Sequence, residues 1–393
     1  MFSNYEKIKE KCYGDGMKKI KGTNLGNWLV LERWMQEDIF RKTDAPDETW
    51  LYRKGDLPEI EKEITRHRET YVTEEDFRNI AEHGLNMVRI PVPYFVFGDV
   101  PPYVGCVTYL DRAFSWAEKY GLQILLDLHT APGGQNGYDN GGITGVCKWC
   151  RQPESVEFCL TVLERLAERY GKQESLFGIE VLNEPISLLV YLTSPTRNAA
   201  VDKEEAKGSG HVPMRFLKKF YLEAYTRLRR ILPEEKVICF HDGFRLMGWN
   251  SFFRKNKMKN VLLDTHIYIH AMEQIVPIHR MWVYRFYIQA EKWKIKFAQR
   301  NIPVVVGEWC VCNLYAESMQ QPILMEQELS ERYRKICRQI AQMQLEAWKC
   351  AQGYFYWNYE LNRDMGKDIS PYWKNSWDLR RCWEKNWIPG EKM

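Results

Sequence analysis

Eight short apolar segments, each followed by a helical or helix-bearing stretch, recur along the 393-residue chain. They are rich in β-branched residues, which is typical of strands buried on both faces of a parallel sheet. Eight such units predict one (β/α)8 (TIM) barrel, a fold of the α/β class. A doubly wound open sheet is the alternative, but no glycine-rich phosphate loop follows the first segment. The segments lie at about 22–28, 86–92, 123–129, 177–184, 236–242, 261–268, 302–309 and 353–359.

Between these segments, apolar residues recur at helical spacing. The predicted helices cover about 57–83, 109–120, 154–170, 214–232, 279–300, 327–350 and 372–387. No shift in composition marks a domain boundary, so we expect a single catalytic domain over residues 1–393, with residues 1–21 as a polar lead-in. The polar stretch 194–210 after the fourth strand is expected to be a loop excursion of this domain.

Charge and composition exclude several classes of protein. The formal charge of +4 is nearly balanced, and no polybasic block suggests nucleic acid or a membrane surface as a partner. No apolar stretch is long enough to span a bilayer, and the charged N-terminus lacks the apolar core of a signal peptide. An odd number of cysteines, 11, fits a reducing compartment. We therefore expect a cytoplasmic protein, although a secreted protein without its signal would look the same.

Two of the apolar segments end in a glutamate. Glu184 closes the fourth segment immediately before Pro185, which cannot donate to a strand ladder, and Glu308 closes the seventh. Active sites of such barrels lie at the carboxyl ends of the strands. Two carboxyl groups there predict a hydrolase in which one donates a proton and the other attacks or activates water.

Other polar and aromatic side chains recur at the same end of the predicted strands. An arginine inside an apolar strand needs anionic partners, because a buried guanidinium is costly to leave unpaired. Each of the others alone has an ordinary packing explanation, but together with Glu184 and Glu308 the set comes from six different strands. Its members are Arg89, His129, Asn183, His266, Tyr268 and Trp357.

The motifs that carry these residues resemble glycoside hydrolase family 5. The matching stretches are Asn86–Pro91, Asp127–His129, Asn183–Pro185, His266–Tyr268, Gly307–Trp309 and the strand that bears Trp357. The resemblance spans roughly 22–387. Within it, Asn24–Glu32 and His129–Asn140 look like the exo-1,3-β-glucanase or β-glucosidase branch of the family.

The resemblance implies a role for each motif residue of a retaining β-glycosidase. Glu184 would be the general acid/base and Glu308 the nucleophile. Arg89 and Tyr268 would keep Glu308 ionised and hydrogen-bonded, while Glu184 would stay protonated until it meets the leaving oxygen. The remaining expectations are that His266 orients Glu184, Asn183 bonds the sugar 2-hydroxyl, His129 binds a ring hydroxyl and Trp357 lies under the −1 sugar.

The exo branch also implies a closed pocket. Glu32, Asp139 and Asn140 would bind the far hydroxyls of the terminal sugar, and Tyr138 would be one aromatic of a clamp at the +1 sugar. The second aromatic expected shortly after Tyr268 is missing, since His270-Ala271 stands there. Trp249, Trp282 and Trp309 are candidates to replace it, with core or rim packing as the equal alternative for each. The expected substrate is therefore a β-linked oligosaccharide, with β-1,3 linkages favoured, or a small β-glucoside.

Several alternatives stay open at this point. Endo-β-glucanase and transglycosylase activities belong to the same family, and a non-catalytic carbohydrate-binding barrel would share the fold. A metal-dependent hydrolase would use His129, His266 and Asp264. Cys147 with Cys150 has the spacing of half a zinc site, and Cys310 with Cys312 could complete it. We expect no cofactor and no metal; the sequence does not indicate an oligomeric state.

Overall fold

A closed barrel of eight parallel strands forms the centre of the computed structural model, which describes residues 18–318, 326–361 and 375–388. Each strand pairs with the next along the chain, and the last pairs with the first. The predicted (β/α)8 fold is therefore confirmed. The strands are β1 Ile20–Asn24, β2 Met87–Val92, β3 Gln123–Leu128, β4 Leu176–Glu180, β5 Val237–His241, β6 Val261–His266, β7 Val304–Trp309 and β8 Gly353–Tyr356.

Helices surround the barrel. They are α1 Glu37–Arg41, α2 Glu48–Lys54, α3 Leu57–Thr70, α4 Glu74–Glu82, α5 Val107–Tyr120, α6 Pro153–Tyr170, α7 Leu188–Thr193, α8 Met214–Leu228, α9 Phe252–Lys255, α10 Ile269–Glu273, α11 Met281–Ala298, α12 Leu314–Ser318, α13 Glu326–Trp348 and α14 Leu379–Glu384. In the part of the chain that is described, no helix combines the length and apolar character needed to cross a membrane.

Several element boundaries differ from the prediction, and two of the differences fall in the first 83 residues. The helix expected over 57–83 is two helices, because Thr73 forms a capping box with Asp76 and starts α4 as a new helix. The first strand begins at Ile20 and ends at Asn24, so it starts inside the expected lead-in and stops before residue 28. Residues 1–17 of the lead-in, and residues 372–374 of the last predicted helix, lie outside the described residues.

The barrel interior has an apolar layer below a charged one. The apolar layer consists of one or two buried side chains from most strands: Ile20, Met87, Leu125, Val237, Cys239, Leu262, Val305 and Phe355. Side chains two positions further along a strand point to the same face, one layer higher. At that level β2, β3 and β6 carry Arg89, Asp127 and Asp264, all fully buried. Charge is therefore concentrated at the carboxyl ends of the strands.

The polar excursion 194–210 is a turn-rich loop, as expected, and it packs against the loop that follows β3. Ala200 is buried against Ile143 and Val146. The Arg53 guanidinium on α2 donates to both carboxylate oxygens of Glu205, at 2.6 and 2.9 Å. These contacts fix the excursion on the same side of the barrel as the β3 and β4 loops.

Candidate active site

Every predicted site residue lies at the carboxyl-terminal end of the barrel. Arg89 lies within β2, His266 is the last residue of β6, and Glu308 is next to last in β7. His129 and Trp357 come directly after β3 and β8. The eight strand ends therefore bring together side chains that are far apart in the sequence.

Glu184 is not the last residue of its strand, as the sequence predicted, because β4 ends at Glu180. The backbone stays extended for a few residues: the Val181 N–H donates to the Cys239 carbonyl, and the Asn183 N–H to the Leu128 carbonyl. Glu184 then adopts a left-handed conformation with φ 46°. This turn, four residues past the strand, directs its carboxyl group into the site.

The Arg89 guanidinium is the buried cation of the site. Its Nε donates to Glu180 Oε2 at 2.7 Å, and its Nη2 lies 3.0 Å from Asp127 Oδ2. Asp264 Oδ2 is 3.9 Å from Nε. The sequence expected anionic partners for Arg89 but did not identify these three carboxyl groups. They precede predicted site residues by two or four positions on the same strand face, and this spacing was the signal that could have revealed them.

Glu308 is held by donors at both carboxylate oxygens. Arg89 Nη1 donates to Oε1 at 3.0 Å, and the Tyr268 hydroxyl donates to Oε2 at 2.6 Å. His266 Nδ1 lies 3.3 Å from Oε2. The predicted proximity of Arg89 and Tyr268 to Glu308 is therefore present. An oxygen held in this way is oriented for attack on a carbon above it.

Glu184 shares the same histidine. His266 Nδ1 lies 2.8 Å from Glu184 Oε1, as the sequence expected for an orienting residue. Glu184 Oε2 accepts from Asn140 Nδ2 at 3.0 Å. The Asn140 amide was predicted to bind a distant sugar hydroxyl. In the structure it contacts the carboxyl group of Glu184, and its own Oδ1 accepts from Asn136; its role toward a sugar hydroxyl stays a prediction.

The pKa shifts of the two glutamates are the reverse of the prediction. Burial raises the pKa of Glu308, the charge of Glu184 raises it further, and Arg89 and His266 offset this only in part. Burial alone would raise the pKa of Glu184, but the hydrogen bond and charge of His266 lower it. Burial disfavours the charged form of His266 and by itself would lower its pKa. The carboxylates of Glu308 and Asp264 outweigh this and raise the pKa well above the ordinary value. In the free protein, His266 therefore carries the proton that was expected on Glu184.

An aromatic and amide wall lies opposite the glutamates. The imidazole of His129 stacks on the indole of Trp357 with centroids 5.8 Å apart, and its Nδ1 is 2.5 Å from Asp127 Oδ2. Asn183 Oδ1 accepts from Arg89 Nη2 at 2.9 Å, which turns its amide nitrogen toward His129. Gly26 makes room for Trp357, because a Cβ there would lie 2.6 Å from the indole.

Glu32 and Asp139 form an acidic pair beside this wall. Trp34 Nε1 donates to Glu32 Oε2 at 2.8 Å, a contact the sequence did not predict. Burial and then the charge of Asp139 raise the pKa of Glu32 well above its ordinary value, and the charges of Glu308 and Glu184 add to this shift. Burial raises the pKa of Asp139 to about 6. A protonated acid beside an ionised one offers both a donor and acceptors to hydroxyl groups.

Tyr138 lies near Glu184: burial raises the pKa of its phenol to about 12, the charge of Glu184 adds to this shift, and the nearby Ser194 side chain opposes it. Two of the three candidates for its missing clamp partner are buried in the core, Trp249 and Trp309, so for these two the alternative of core packing holds. Trp282, near the start of α11, has 66% of its surface exposed and stays a candidate.

Metal-ligating side chains come close together in two groups among the described residues. One group is Glu184, His241 and His266, and the other is Glu180, Cys239 and Asp264. The raised pKa of His266 places a proton where a metal would bind in the first group, and Arg89 is the cation beside the second. Neither group contains His129 or the cysteines proposed for a zinc site. Cys147 instead packs on the excursion, where its N–H donates to Ser209.

Comparisons with known proteins agree on a single family. The model of the cellulase family, glycosyl hydrolase family 5, matches residues 57–326. The chain is 36% identical over 305 residues to a probable glucan 1,3-β-glucosidase A of Emericella nidulans, which covers 74% of this chain and 67% of that protein. It is 32% identical over 380 residues to a probable glucan 1,3-β-glucosidase A of Aspergillus terreus, covering 88% and 83%. A glucan 1,3-β-glucosidase of Blumeria graminis is 38% identical over 261 residues, 64% of this chain and 55% of that protein.

Solved structures show the same fold. A rutinosidase from Aspergillus niger superimposes with a TM-score of 0.72 at 20% identity, covering 94% of this chain and 98% of the rutinosidase. A β-glucanase from Saccharophagus degradans gives a TM-score of 0.52 at 14% identity, covering 93% and 88%.

Proposed function

The chain belongs to glycoside hydrolase family 5, and we propose that it is an exo-acting, retaining β-glucosidase. It releases glucose from the non-reducing end of β-glucans, with β-1,3 linkages preferred, or from small β-glucosides. The preferred linkage is taken from the relatives at 32% and 36% identity, which are named probable glucan 1,3-β-glucosidases.

The shared contact with His266 carries the proposal. One nitrogen, Nδ1, lies 2.8 Å from Glu184 Oε1 and 3.3 Å from Glu308 Oε2. These two oxygens are therefore no farther apart than about 6 Å, the sum of the two distances, which fits the roughly 5–5.5 Å between the carboxyl groups of retaining enzymes. The spacing favours retention, in which one carboxylate attacks the sugar directly.

In the first step Glu308 attacks the anomeric carbon, and the bond from that carbon to the glycosidic oxygen breaks. Glu184 gives a proton to the departing oxygen, so the aglycone leaves as a neutral alcohol. In the second step Glu184 removes a proton from water, which attacks the same carbon and releases Glu308. Two inversions give net retention of the β-configuration.

His266 and Glu184 share the catalytic proton. With the pKa of His266 raised and that of Glu184 lowered, it rests on Nδ1, one hydrogen bond from Glu184. As negative charge develops on the leaving oxygen, the proton moves from His266 to Glu184 and on to that oxygen. His266 is thus a positioning residue that stores the proton between turnovers.

Two further contacts support binding of a terminal glucose. Because Arg89 occupies the Asn183 oxygen, the amide nitrogen of Asn183 is the part left to donate to a sugar 2-hydroxyl, a contact that strengthens in the transition state. Glu32 and Asp139 close the other side of the site and can bond the far hydroxyls. A pocket closed there admits a chain end and excludes the middle of a polysaccharide.

Digestion of β-1,3-, β-1,4- and β-1,6-linked glucose oligosaccharides tests the proposal. Exo action predicts that glucose is the first product, whereas longer fragments would indicate an endo-enzyme. Elongated products at high substrate concentration would indicate transglycosylation. NMR of the first-formed glucose should show the β-anomer, and absence of turnover on every β-glucoside would leave a binding barrel as the function.

A further inference from the structure

Helix α7 exposes an apolar surface beside the site. Its sequence is Leu-Leu-Val-Tyr-Leu-Thr, and none of its side chains is buried. Leu188, Leu189 and Leu192 have 50%, 73% and 50% of their surface exposed. Leu188 and Leu192 are four positions apart and lie on one helix face, with Leu189 next to them. Exposure of three leucines on six residues is a cost unless something covers them.

Both ends of α7 lie close to residues of the candidate active site. Leu188 follows Glu184 by four residues, so its Cα lies within about 14 Å of the Cα of that glutamate. At the other end, Ser194 directly follows the helix, and its side chain and the charge of Glu184 both lie close enough to Tyr138 to affect the pKa of the phenol. The helix therefore lies beside Glu184, the residue that protonates the leaving group in the proposed mechanism.

The exposure does not result from a poorly anchored loop. Beyond α7, the excursion is held by Ala200 against the β3 loop and by the paired hydrogen bonds of Arg53 to Glu205. The main chain returns through a hydrogen bond from the Val212 N–H to the Ile186 carbonyl, which lies directly before α7. The leucines are thus presented on a fixed base.

The chemistry of this surface does not suit a sugar chain. Sugar units beyond the cleaved bond are bound by flat aromatic faces and by hydrogen-bonding side chains. The aromatic residue expected shortly after Tyr268 is absent, and residues 185–196 contain no charged side chain. Aliphatic side chains offer neither a flat face nor a hydrogen bond, but they favour burial of an alkyl group. The cation beside α7 is Arg197, over the Tyr191 ring at 5.3 Å, and one such charge gives little attraction to an anionic bilayer.

We propose that the exposed leucines of α7 form an aglycone platform, so that the preferred substrates are β-glucosides whose leaving group is an extended aliphatic alcohol. The inference rests on the proposed β-glucosidase function and names its substrate class. The platform is about 9 Å long, given a helical rise of 1.5 Å for each of six residues. A chain of roughly six to eight carbons covers that length.

Competitive inhibition by alkyl 1-thio-β-D-glucosides, which are not cleaved, tests the proposed aglycone platform. Methyl, butyl, hexyl and octyl thioglucosides carry the same sugar and differ only in chain length. Covering one side of a methylene should lower the inhibition constant about twofold per carbon, or about a hundredfold over the seven carbons from methyl to octyl. The Leu189→Ser/Leu192→Ser double variant should lose this dependence. Leu222→Ser is the matched control, since Leu222 is 39% exposed on α8, and it should keep the dependence.

The outcomes separate the two proposals. An inhibition constant that is equal for methyl and octyl compounds would overturn the platform and leave the β-glucosidase function standing. A dependence that survives in the double variant, or inhibition that is not competitive, would overturn the assignment to α7. Failure of every thioglucoside to bind, together with no cleavage of aryl β-glucosides, would refute the proposed function itself.

Discussion

Replacing Arg89 by methionine should separate the contribution of this side chain to stability from its electrostatic effect on Glu308. Arg89 is fully buried and pairs with Asp127, Glu180 and Glu308 at 3.0, 2.7 and 3.0 Å. Removing one partner of a buried ion pair costs about 3–5 kcal/mol. At about 2.1 cal/mol/K per residue over 393 residues, that cost lowers the melting temperature by roughly 4–6 °C.

The same replacement should move the acidic limb of the pH–rate profile. Glu308 must be ionised to attack, and the charge of Arg89 lowers its pKa. Without that charge the pKa of Glu308 rises further, so kcat/KM is lost at a higher pH as the solution is acidified. Arg89→Lys, which keeps a charge but bonds fewer acceptors, should give a smaller shift.

Arg68→Met is the matched control. Arg68 is also buried, near Glu48 at 4.0 Å, and it donates to the Val104, Gly105 and Leu29 carbonyls but not to Glu308. Its loss should lower the melting temperature without moving the acidic limb. Calorimetry and kcat/KM from pH 3 to 9 on each folded variant provide the measurements. An acidic limb that stays in place in folded Arg89→Met would refute the electrostatic argument.

Three further predictions follow from the site geometry. Gly307→Ala places a methyl group 1.9 Å from Asp264 Oδ2, so we expect a loss of about 1–3 kcal/mol in unfolding free energy and about 10²-fold in kcat, measured by denaturant titration and kinetics. His266→Gln should move the alkaline limb to lower pH, because the raised pKa of His266 keeps the proton available to Glu184; dinitrophenyl glucosides, which need no acid, should lose less activity than alkyl glucosides. Glu32→Gln should retain sugar binding better than Glu32→Ala. Burial and the charge of Asp139 raise the pKa of Glu32 and so favour its neutral form, whose hydrogen-bond donor an amide can replace. An equal rise in KM in both variants would contradict this.

The barrel was predictable from the sequence because its strands are continuous apolar runs of suitable length separated by helical spacing. The positions of the site residues followed, since carboxyl ends of parallel strands meet at one end of a barrel. The individual roles came from the resemblance of the motifs to a known family. The split at Thr73 shows the limit of periodicity, because a capping residue ends one helix and starts another without changing the apolar pattern.

The electrostatics of the site could not be predicted in the same way. Which of two glutamates is ionised depends on distances from one imidazole, and His266 is separated from Glu184 by 82 positions and from Glu308 by 42 in the chain. The role of α7 was equally hidden, since a leucine-rich stretch after a strand indicates a packed helix unless its exposure is known.

Azide rescue of the two glutamate variants tests the central claim most directly, because each role gives a different product. With a dinitrophenyl β-D-glucoside, Glu184→Ala should form the covalent intermediate, and azide should then yield β-glucosyl azide. Glu308→Ala cannot form it, so azide should attack the substrate directly and yield α-glucosyl azide. Exchanged products, or wild-type turnover in either variant, would contradict the assignment of Glu184 as acid/base and Glu308 as nucleophile.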